Sequence, residues 1–117
     1  MGIIRPRIVA IVTPCLRGDG EVRDRNVSYA QAASADAISL GEVPLSVELF
    51  YSNVGSSPTD PSARAMMIEA RQELTETAAE AVVVYSDLGL DDGMRSQISD
   101  AIVADKPVEY RTLSGWS

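Results

Sequence analysis

One stretch, residues 81–97, constrains the fold of this chain more than any other. It begins with five apolar residues, passes through an acidic loop that contains glycine, and continues with a helical pattern. An uninterrupted apolar run of this length is typical of a strand buried on both faces, as in a parallel sheet. Ligands of open α/β sheets bind outside the carboxyl ends of the strands, where such loops and helix starts meet. We therefore expect a binding crevice above this strand.

Three further strands are predicted from apolar patterning. Residues 7–13 form a β-branched run that ends at Pro14, because proline donates no hydrogen bond to a strand ladder. Residues 43–50 alternate apolar and polar side chains, which indicates a half-buried strand, and residues 51–59 are predicted to be loop. Residues 108–112 form the last predicted strand.

Three helices are predicted between these strands. The first runs from Asp24, a suitable N-cap, to Gly41, a suitable stop; the second begins at Asp60–Pro61 and the third at Asp91–Asp92. Helical spacing predicts an inward face for each helix. These faces are Val27, Ala30, Ser34, Ala37 and Ile38 in the first helix; Ala63, Met66, Met67, Ala70, Leu74, Thr77 and Ala78 in the second; and Met94, Ile98, Ala101 and Ile102 in the third.

The predicted order, β-α-β-α-β-α-β, is typical of an α/β fold in which helices cover both faces of a parallel sheet. Right-handed crossovers then favour a single three-layer sandwich with a mostly parallel sheet of four to five strands, of the flavodoxin-like or Rossmann-like type. We assign residues 1–112 to one domain and residues 113–117 to a loose C-terminal tail. In that tail, Trp116 is expected to pack on a partner or on nothing.

Residue types that are missing exclude several kinds of chemistry. The chain has no histidine and a single cysteine, Cys15, so a Ser-His-Asp or Cys-His mechanism cannot be built within one chain. The same two facts argue against a zinc site, and neither a metal nor a cofactor is expected. A single cysteine suits a reducing compartment, and no apolar run approaches the ~20 residues of a membrane span. We therefore expect a cytoplasmic protein with no membrane partner.

The net charge of the chain and its distribution limit the kinds of partner that it can bind. The formal net charge is −7, which would repel a nucleic-acid polymer. Yet five of the ten cations fall within the first 25 residues: Arg5, Arg7, Arg17, Arg23 and Arg25. This basic end is either a solvated surface or a local site for one small anion.

Glycines in the predicted loops allow either a ligand site or simple turns. Gly18 and Gly20 let backbone N–H groups approach a ligand beside Arg17, and Gly93 lies near a helix N-terminus, which favours anions. Neither a Gly-x-Gly-x-x-Gly fingerprint nor a Walker sequence is present. A phosphate or carboxylate pocket and turns without a ligand are both consistent with this pattern.

Short segments along nearly the whole chain resemble nucleoside 2-deoxyribosyltransferase-like proteins in their order and spacing. These segments are Thr13-Pro14, Arg17-Gly18-Asp19, Arg25-Asn26-Val27, residues 41–45, residues 82–86, Asp92-Gly93-Met94-Arg95 and residues 101–108. The resemblance implies a site for a nucleoside or nucleotide, and cleavage of the N-glycosidic bond by a glutamate nucleophile on the turn of the third helix. It also implies a homo-oligomer in which a neighbour helps to build the pocket.

Three positions depart from the family pattern. Gln97 stands where the family has its glutamate, and an amide cannot act as a carboxylate nucleophile, although it can hydrogen-bond a sugar hydroxyl. Cys15 replaces an aromatic residue, so a platform for base stacking is lost. Glu48 is either a displaced catalytic acid or a solvated glutamate at a strand end.

The predicted site therefore contains two catalytic positions, Gln97 and Glu48, and a set of ligand-binding residues from the two loops. The ligand-binding set is Thr13, Pro14, Cys15, Arg17, Gly18, Ser86, Asp87, Asp91, Asp92, Gly93 and Met94. Asp91 and Asp92 could bind ribose hydroxyls or cap the helix, and Asp87 could do either. Arg95 could contact phosphate or lie on an exposed helix face.

Three functions are consistent with these residues. The first is a nucleotide- or nucleoside-binding protein with little or no glycosidase activity, which sequesters or senses a nucleotide-derived ligand. The second is an active N-glycosidase or 2-deoxyribosyltransferase in which Glu48 or Asp92 replaces the missing nucleophile. The third is an interaction domain with a vestigial crevice. Gln97 favours the first.

Overall fold

Four strands and four helices make up the fold of the described residues. The computed structural model describes residues 5–56 and 58–116; residues 1–4 of the predicted domain, residue 57 of the predicted loop and residue 117 of the predicted tail lie outside them. The elements are β1 (Arg7–Val12), α1 (Gly20–Ser39), β2 (Glu42–Leu45), α2 (Val47–Asn53), α3 (Pro61–Ala78), β3 (Ala81–Tyr85), α4 (Asp92–Val103) and β4 (Val108–Arg111). Among the residues described, no helix combines the length and apolar character that a membrane span requires.

All strands in the sheet are parallel, in the order β2-β1-β3-β4. The chain moves from β1 to one side for β2 and returns to the other side for β3 and β4, so the switch point lies between β1 and β3. Crevices in sheets of this kind open at the switch point, at the carboxyl ends of the strands. The predicted α/β sandwich with a parallel sheet is confirmed, with four strands.

The two central strands are buried on both faces. On one face, Val9 and Val83 pack with Tyr29 of α1. On the other face, Val12 and Val84 pack with Met94 of α4. This double burial explains why β3 is a continuous apolar run with no polar alternation.

Most of the residues predicted to begin or end a helix do so in the structure. The Asp60 carboxylate accepts a hydrogen bond from the backbone N–H of Ala63, and Pro61 occupies the first turn of α3. Gly41 follows α1 with a φ of +79°, which is the left-handed conformation that favours glycine after a helix. The predicted start of α1 at Asp24 is wrong, because α1 begins at Gly20.

The prediction of a strand over residues 43–50 is also wrong. The strand ends at Leu45, and α2 occupies Val47–Asn53, partly in the predicted loop. So short an alternating pattern fits a helix as well as a strand. A helix of seven residues needs only a single apolar contact, so its sequence shows no clear helical period. That contact is Leu49, which packs on Leu16 and Ala30.

Parts of the predicted inward helix faces are exposed to solvent. Ile38 is 61% exposed, Met66 71% and Ile102 65%. In α3 the inward face instead follows Arg64, Met67 and Arg71. The stems of the two arginines occupy positions that the pattern assigned to apolar residues, so the real face is rotated from the predicted one.

The C-terminal segment is not loose, which corrects the prediction for residues 113–116. The Trp116 ring lies 5.0 Å from the Tyr29 ring, edge to face. The backbone N–H of Leu113 donates to the Asp87 carboxylate at 2.9 Å. Trp116 therefore packs on its own chain, on the face of the sheet that α1 covers.

A network of four charged side chains joins β1, β2 and β4. Arg7 and Arg111 both pair with Glu42 and with Glu109, at N–O distances from 2.7 to 3.3 Å. The Glu42 side chain is only 7% exposed, and its hydrogen bonds from Arg111 lower its pKa to about 2 despite the opposing effect of burial. Tyr85 of β3 extends the network, since Arg111 donates to its hydroxyl at 3.3 Å.

Candidate functional site

A cavity of about 480 Å³ lies at the carboxyl ends of β1 and β3, the switch point of the sheet. We call it the crevice. Its walls come from the loop after β1, the starts of α1, α2 and α4, and one side of α3. Its volume falls within the ~300–1,000 Å³ that is typical of small-molecule sites.

Eight of the thirteen predicted site residues line the crevice. They are Thr13, Cys15, Arg17, Glu48, Asp91, Asp92, Gly93 and Gln97. They come from both predicted loops, from the helix that follows β2 and from the first turns of α4. The polar groups of four separate segments therefore converge on one space.

Asp91 holds the two loops together. One carboxylate oxygen, Oδ2, accepts a hydrogen bond from the backbone N–H of Cys15 at 2.8 Å. The other, Oδ1, accepts from the backbone N–H of Met94 at 2.8 Å and so caps α4. Of the two roles considered for Asp91, capping is the one in the structure, and the same side chain also fixes the wall formed by the first loop.

Cys15 lies inside this wall with its backbone and side chain both engaged. Its carbonyl oxygen accepts from the Asn26 amide at 3.0 Å, and its sulfur lies 2.9 Å from a guanidinium nitrogen of Arg64. Burial raises the pKa of the Cys15 thiol. Since the thiolate is the reactive form, this thiol is a poor nucleophile at neutral pH.

Glu48 is neither at a strand end nor solvated, which corrects that interpretation. It lies in the first turn of α2, and its side chain is 16% exposed. Its Oε1 accepts from the backbone N–H of Leu16 at 3.0 Å, and its Oε2 forms an ion pair with Arg64 at 2.9 Å. Both oxygens therefore have a partner within the protein.

Gln97 lies one turn into α4 from Gly93 and faces the crevice. Its amide nitrogen donates to the Gly93 carbonyl oxygen at 3.3 Å. This contact leaves the amide oxygen as the acceptor group of this side chain. The position is thus occupied by a neutral hydrogen-bonding group and not by a carboxylate.

Two predicted binding residues are engaged away from the crevice lining. Asp87 accepts from the Tyr29 hydroxyl at 2.6 Å and from the backbone N–H of Leu113. Ser86 bonds the Arg111 carbonyl oxygen through its backbone N–H at 3.1 Å. The structure therefore gives Asp87 and Ser86 contacts that hold the C-terminal segment.

Three other predicted binding residues lie close to the crevice without lining it. Met94 is fully buried in the core below, and Pro14 is buried at the end of β1. Gly18 lines a smaller neighbouring cavity. Arg95 forms an ion pair with Asp92 at 3.3 Å on the exposed side of α4, which fits the exposed-face alternative for that residue.

Sequence reasoning missed two arginines of α3, Arg64 and Arg71. Both line the crevice, together with Ile68 between them. A signal was present, because residues 64, 68 and 71 recur at helical spacing and must share one face. The predicted face uses Met66, which is 71% exposed, together with Met67, and is therefore rotated away from the arginines.

Three arginines and three carboxylates line the crevice, and two of the arginines lack a direct partner among the described residues. Neither the Arg71 nor the Arg17 guanidinium makes a hydrogen bond or ion pair with any residue in 5–56 or 58–116. The Arg71 side chain is half-buried, and burial lowers its pKa while the charge of Glu48 opposes that shift. In contrast, the carboxylates of Glu48 and Asp91 are fully engaged. The Arg17 and Arg71 guanidinium groups are therefore available to hydrogen-bond an anion.

Metal ligation is not indicated at this site. Within the described ranges, no group of three or more His, Cys, Asp or Glu side chains is placed to hold a metal ion. Three carboxylates line the crevice, but those of Glu48 and Asp91 already accept hydrogen bonds or an ion pair from the protein. The guanidinium and amide groups beside them bind anions and hydroxyls.

A family model described as a domain of unknown function, DUF7768, matches residues 7–111. The match runs from the first residue of β1 to the last residue of β4, so it includes every wall of the crevice. No curated protein and no solved structure matches the chain.

Proposed function

We propose that this chain, which belongs to the DUF7768 family of domains of unknown function, binds a nucleotide or nucleoside in the crevice without cleaving it. By holding an intact nucleotide-derived ligand, it would sequester or sense that ligand. The proposal includes a cytoplasmic location and assembly into a homo-oligomer, both of which rest on the sequence.

Arg71 is the observation that carries the proposal. Arg71 lines the crevice, and its guanidinium makes no hydrogen bond or ion pair with the described residues, although the charges of Glu48 and Asp100 attract it. A poorly solvated, unpaired cation is unfavourable in the free protein, and a phosphate group compensates it with paired hydrogen bonds. Binding a phosphate therefore offsets the free-energy cost of the poorly solvated Arg71 charge.

The rest of the crevice supports a sugar and a base. Asp92 and Gln97 offer hydrogen-bond acceptors that suit ribose or deoxyribose hydroxyls. Ile68 and Val22 add apolar surface, and they are 37% and 62% exposed. The similarity of the two loops to nucleoside 2-deoxyribosyltransferase-like proteins points to the same ligand class.

Three features argue against cleavage of the ligand. A retaining glycosidase needs a free carboxylate at the anomeric carbon, and Gln97 is an amide. Glu48 has both oxygens engaged and pairs with Arg64. Asp92 is a surface carboxylate that pairs with Arg95. An N-glycosidase is the second candidate only because Asp92 also lines the crevice, and release of free base that stops in Asp92→Asn would favour it.

Substitution of Arg71 by Met tests the binding site. We expect the affinity for a 2′-deoxynucleoside 5′-monophosphate to fall roughly 10- to 100-fold, because a hydrogen-bonded charge pair is lost. The free protein should be no less stable, since an unpaired buried cation is removed. Thermal shifts with nucleosides, their monophosphates and inorganic phosphate measure both effects, because a ligand that binds only the native state raises Tm.

Arg5→Met is the matched control for this test. It removes the same charge ahead of the amino end of β1, where the Arg5 side chain is 70% exposed, and it should leave the thermal shift intact. An equal loss of the thermal shift in both variants would mean that the ligand is held by non-specific electrostatic attraction. An unchanged shift in Arg71→Met would refute the role of the crevice.

A further inference from the structure

A second cavity of about 200 Å³ adjoins the crevice. We call it the side chamber. The two cavities share Arg17, Glu48 and Arg64 in their walls. The ion pair between Arg64 and Glu48, at 2.9 Å, therefore forms a wall of both spaces.

Cationic side chains dominate the side chamber. Three arginines line it, Arg17, Arg23 and Arg64, against a single carboxylate, Glu48. Arg23 is held in place, since its Nε donates to the Leu16 carbonyl oxygen at 3.1 Å and one Nη to the Ser52 hydroxyl at 2.9 Å. Oriented guanidinium groups of this kind match the oxygens of phosphate.

The size of the side chamber limits what enters it. Its volume of about 200 Å³ is below the ~300 Å³ at which sites for whole small molecules begin. A nucleoside therefore does not fit there beside its binding residues, whereas a phosphate group does. The crevice next to it has room for the base and sugar.

We propose that the crevice selects nucleotides with at least two phosphate groups, such as a nucleoside diphosphate. The terminal phosphate enters the side chamber between Arg17, Arg23 and Arg64, and a phosphate nearer the sugar meets Arg71. This inference rests on the proposed function and adds the number of phosphates to it. Because the whole chain carries a net charge of −7, a gain in affinity with each added phosphate requires local cations.

Thr59 gives a specific test of the side chamber. It lines that chamber, it does not line the crevice, and it is exposed, so Thr59→Glu adds a negative charge without burying new atoms. Titration calorimetry at fixed salt compares a 2′-deoxynucleoside 5′-monophosphate with its diphosphate. We expect the diphosphate to bind the unmodified chain about tenfold tighter or better, as one added charge-assisted contact predicts.

In Thr59→Glu we expect this advantage to shrink to about threefold or less while monophosphate binding is retained. Arg17→Gln, which removes an exposed cation with no partner among the described residues, should shrink it as well. Thr77→Glu is the matched control: the same change on α3, about 20 Å along the helix from Arg64, should leave the advantage intact.

The outcomes separate this inference from the proposed function. Equal binding of monophosphate and diphosphate by the unmodified chain overturns the inference and leaves the proposed function standing. So does a diphosphate advantage that persists in both Thr59→Glu and Arg17→Gln. If neither the nucleoside nor either nucleotide binds, the proposed function and the inference both fail.

Discussion

Glu42→Gln lowers the free energy of unfolding by about 3 kcal/mol at neutral pH, because it removes the buried central acid of a partly buried ionic network. Glu42 is only 7% exposed and pairs with both Arg7 and Arg111. Without its charge, Arg111 retains two longer contacts, to Glu109 and to the Tyr85 hydroxyl, both at 3.3 Å. The loss is accordingly larger than for an exposed ion pair.

The pH dependence of this effect has a definite sign. The pKa of Glu42 is lowered from an ordinary value of 4.5 to about 2 in the folded protein. A depressed carboxylate pKa contributes stability above the unfolded value, and that stability is lost as the pH falls toward the folded value. We therefore expect the free energies of unfolding of the unmodified chain and of Glu42→Gln to converge as the pH falls from about 4.5 to about 2.

Urea unfolding at pH 7, 5, 3 and 2 measures this convergence. Glu73→Gln, which neutralises an exposed glutamate of α3, serves as the control and should follow the unmodified chain at every pH. A constant gap between Glu42→Gln and the unmodified chain down to pH 2 would show that the network contributes through packing and not through charge.

Asp91→Ala costs about 3 kcal/mol of stability and abolishes ligand binding, because one side chain joins both walls of the crevice. The cap on the Met94 N–H contributes about 1 kcal/mol. The Cys15 N–H, left without its partner in a half-buried loop, accounts for about 1–3 kcal/mol more. Both bonds are 2.8 Å long.

Two neighbouring substitutions sharpen this test. Asp91→Asn keeps a good capping residue but has one carbonyl oxygen in place of two carboxylate oxygens. It should therefore retain about half of the free energy of unfolding that Asp91→Ala loses. Asp92→Ala removes the adjacent carboxylate, whose side chain is fully exposed, and should leave the unfolding midpoint unchanged. Equal losses of stability in Asp91→Ala and Asp92→Ala would contradict the conclusion that Asp91 holds the two loops together.

The sequence predicts the central parts of this fold well, since they depend on local patterns. The apolar run at Ala81–Tyr85 indicates a doubly buried strand, and the caps at Asp60 and Asp91 follow from side-chain chemistry. The crevice follows from the parallel order, because the carboxyl ends of β1 and β3 must meet at the switch point.

Other parts depend on contacts between distant segments and are not visible in local patterns. The α2 helix has a single buried residue, Leu49, so its period carries little information. Arg64 and Arg71 line the crevice, where Arg64 pairs with Glu48, whereas sequence patterning assigns arginine to the surface. The packing of Trp116 on Tyr29 joins positions far apart in the chain.

Native mass spectrometry of the protein with a 2′-deoxynucleoside 5′-monophosphate, followed by chromatography of the denatured mixture, tests the central claim most directly. We expect a complex whose added mass equals the intact nucleotide, and full recovery of that nucleotide after prolonged incubation. Gln97→Glu, which restores a carboxylate at this position in the crevice, is the comparison in which free base is expected to form. Free base released by the unmodified chain, or the absence of any complex, would contradict the account.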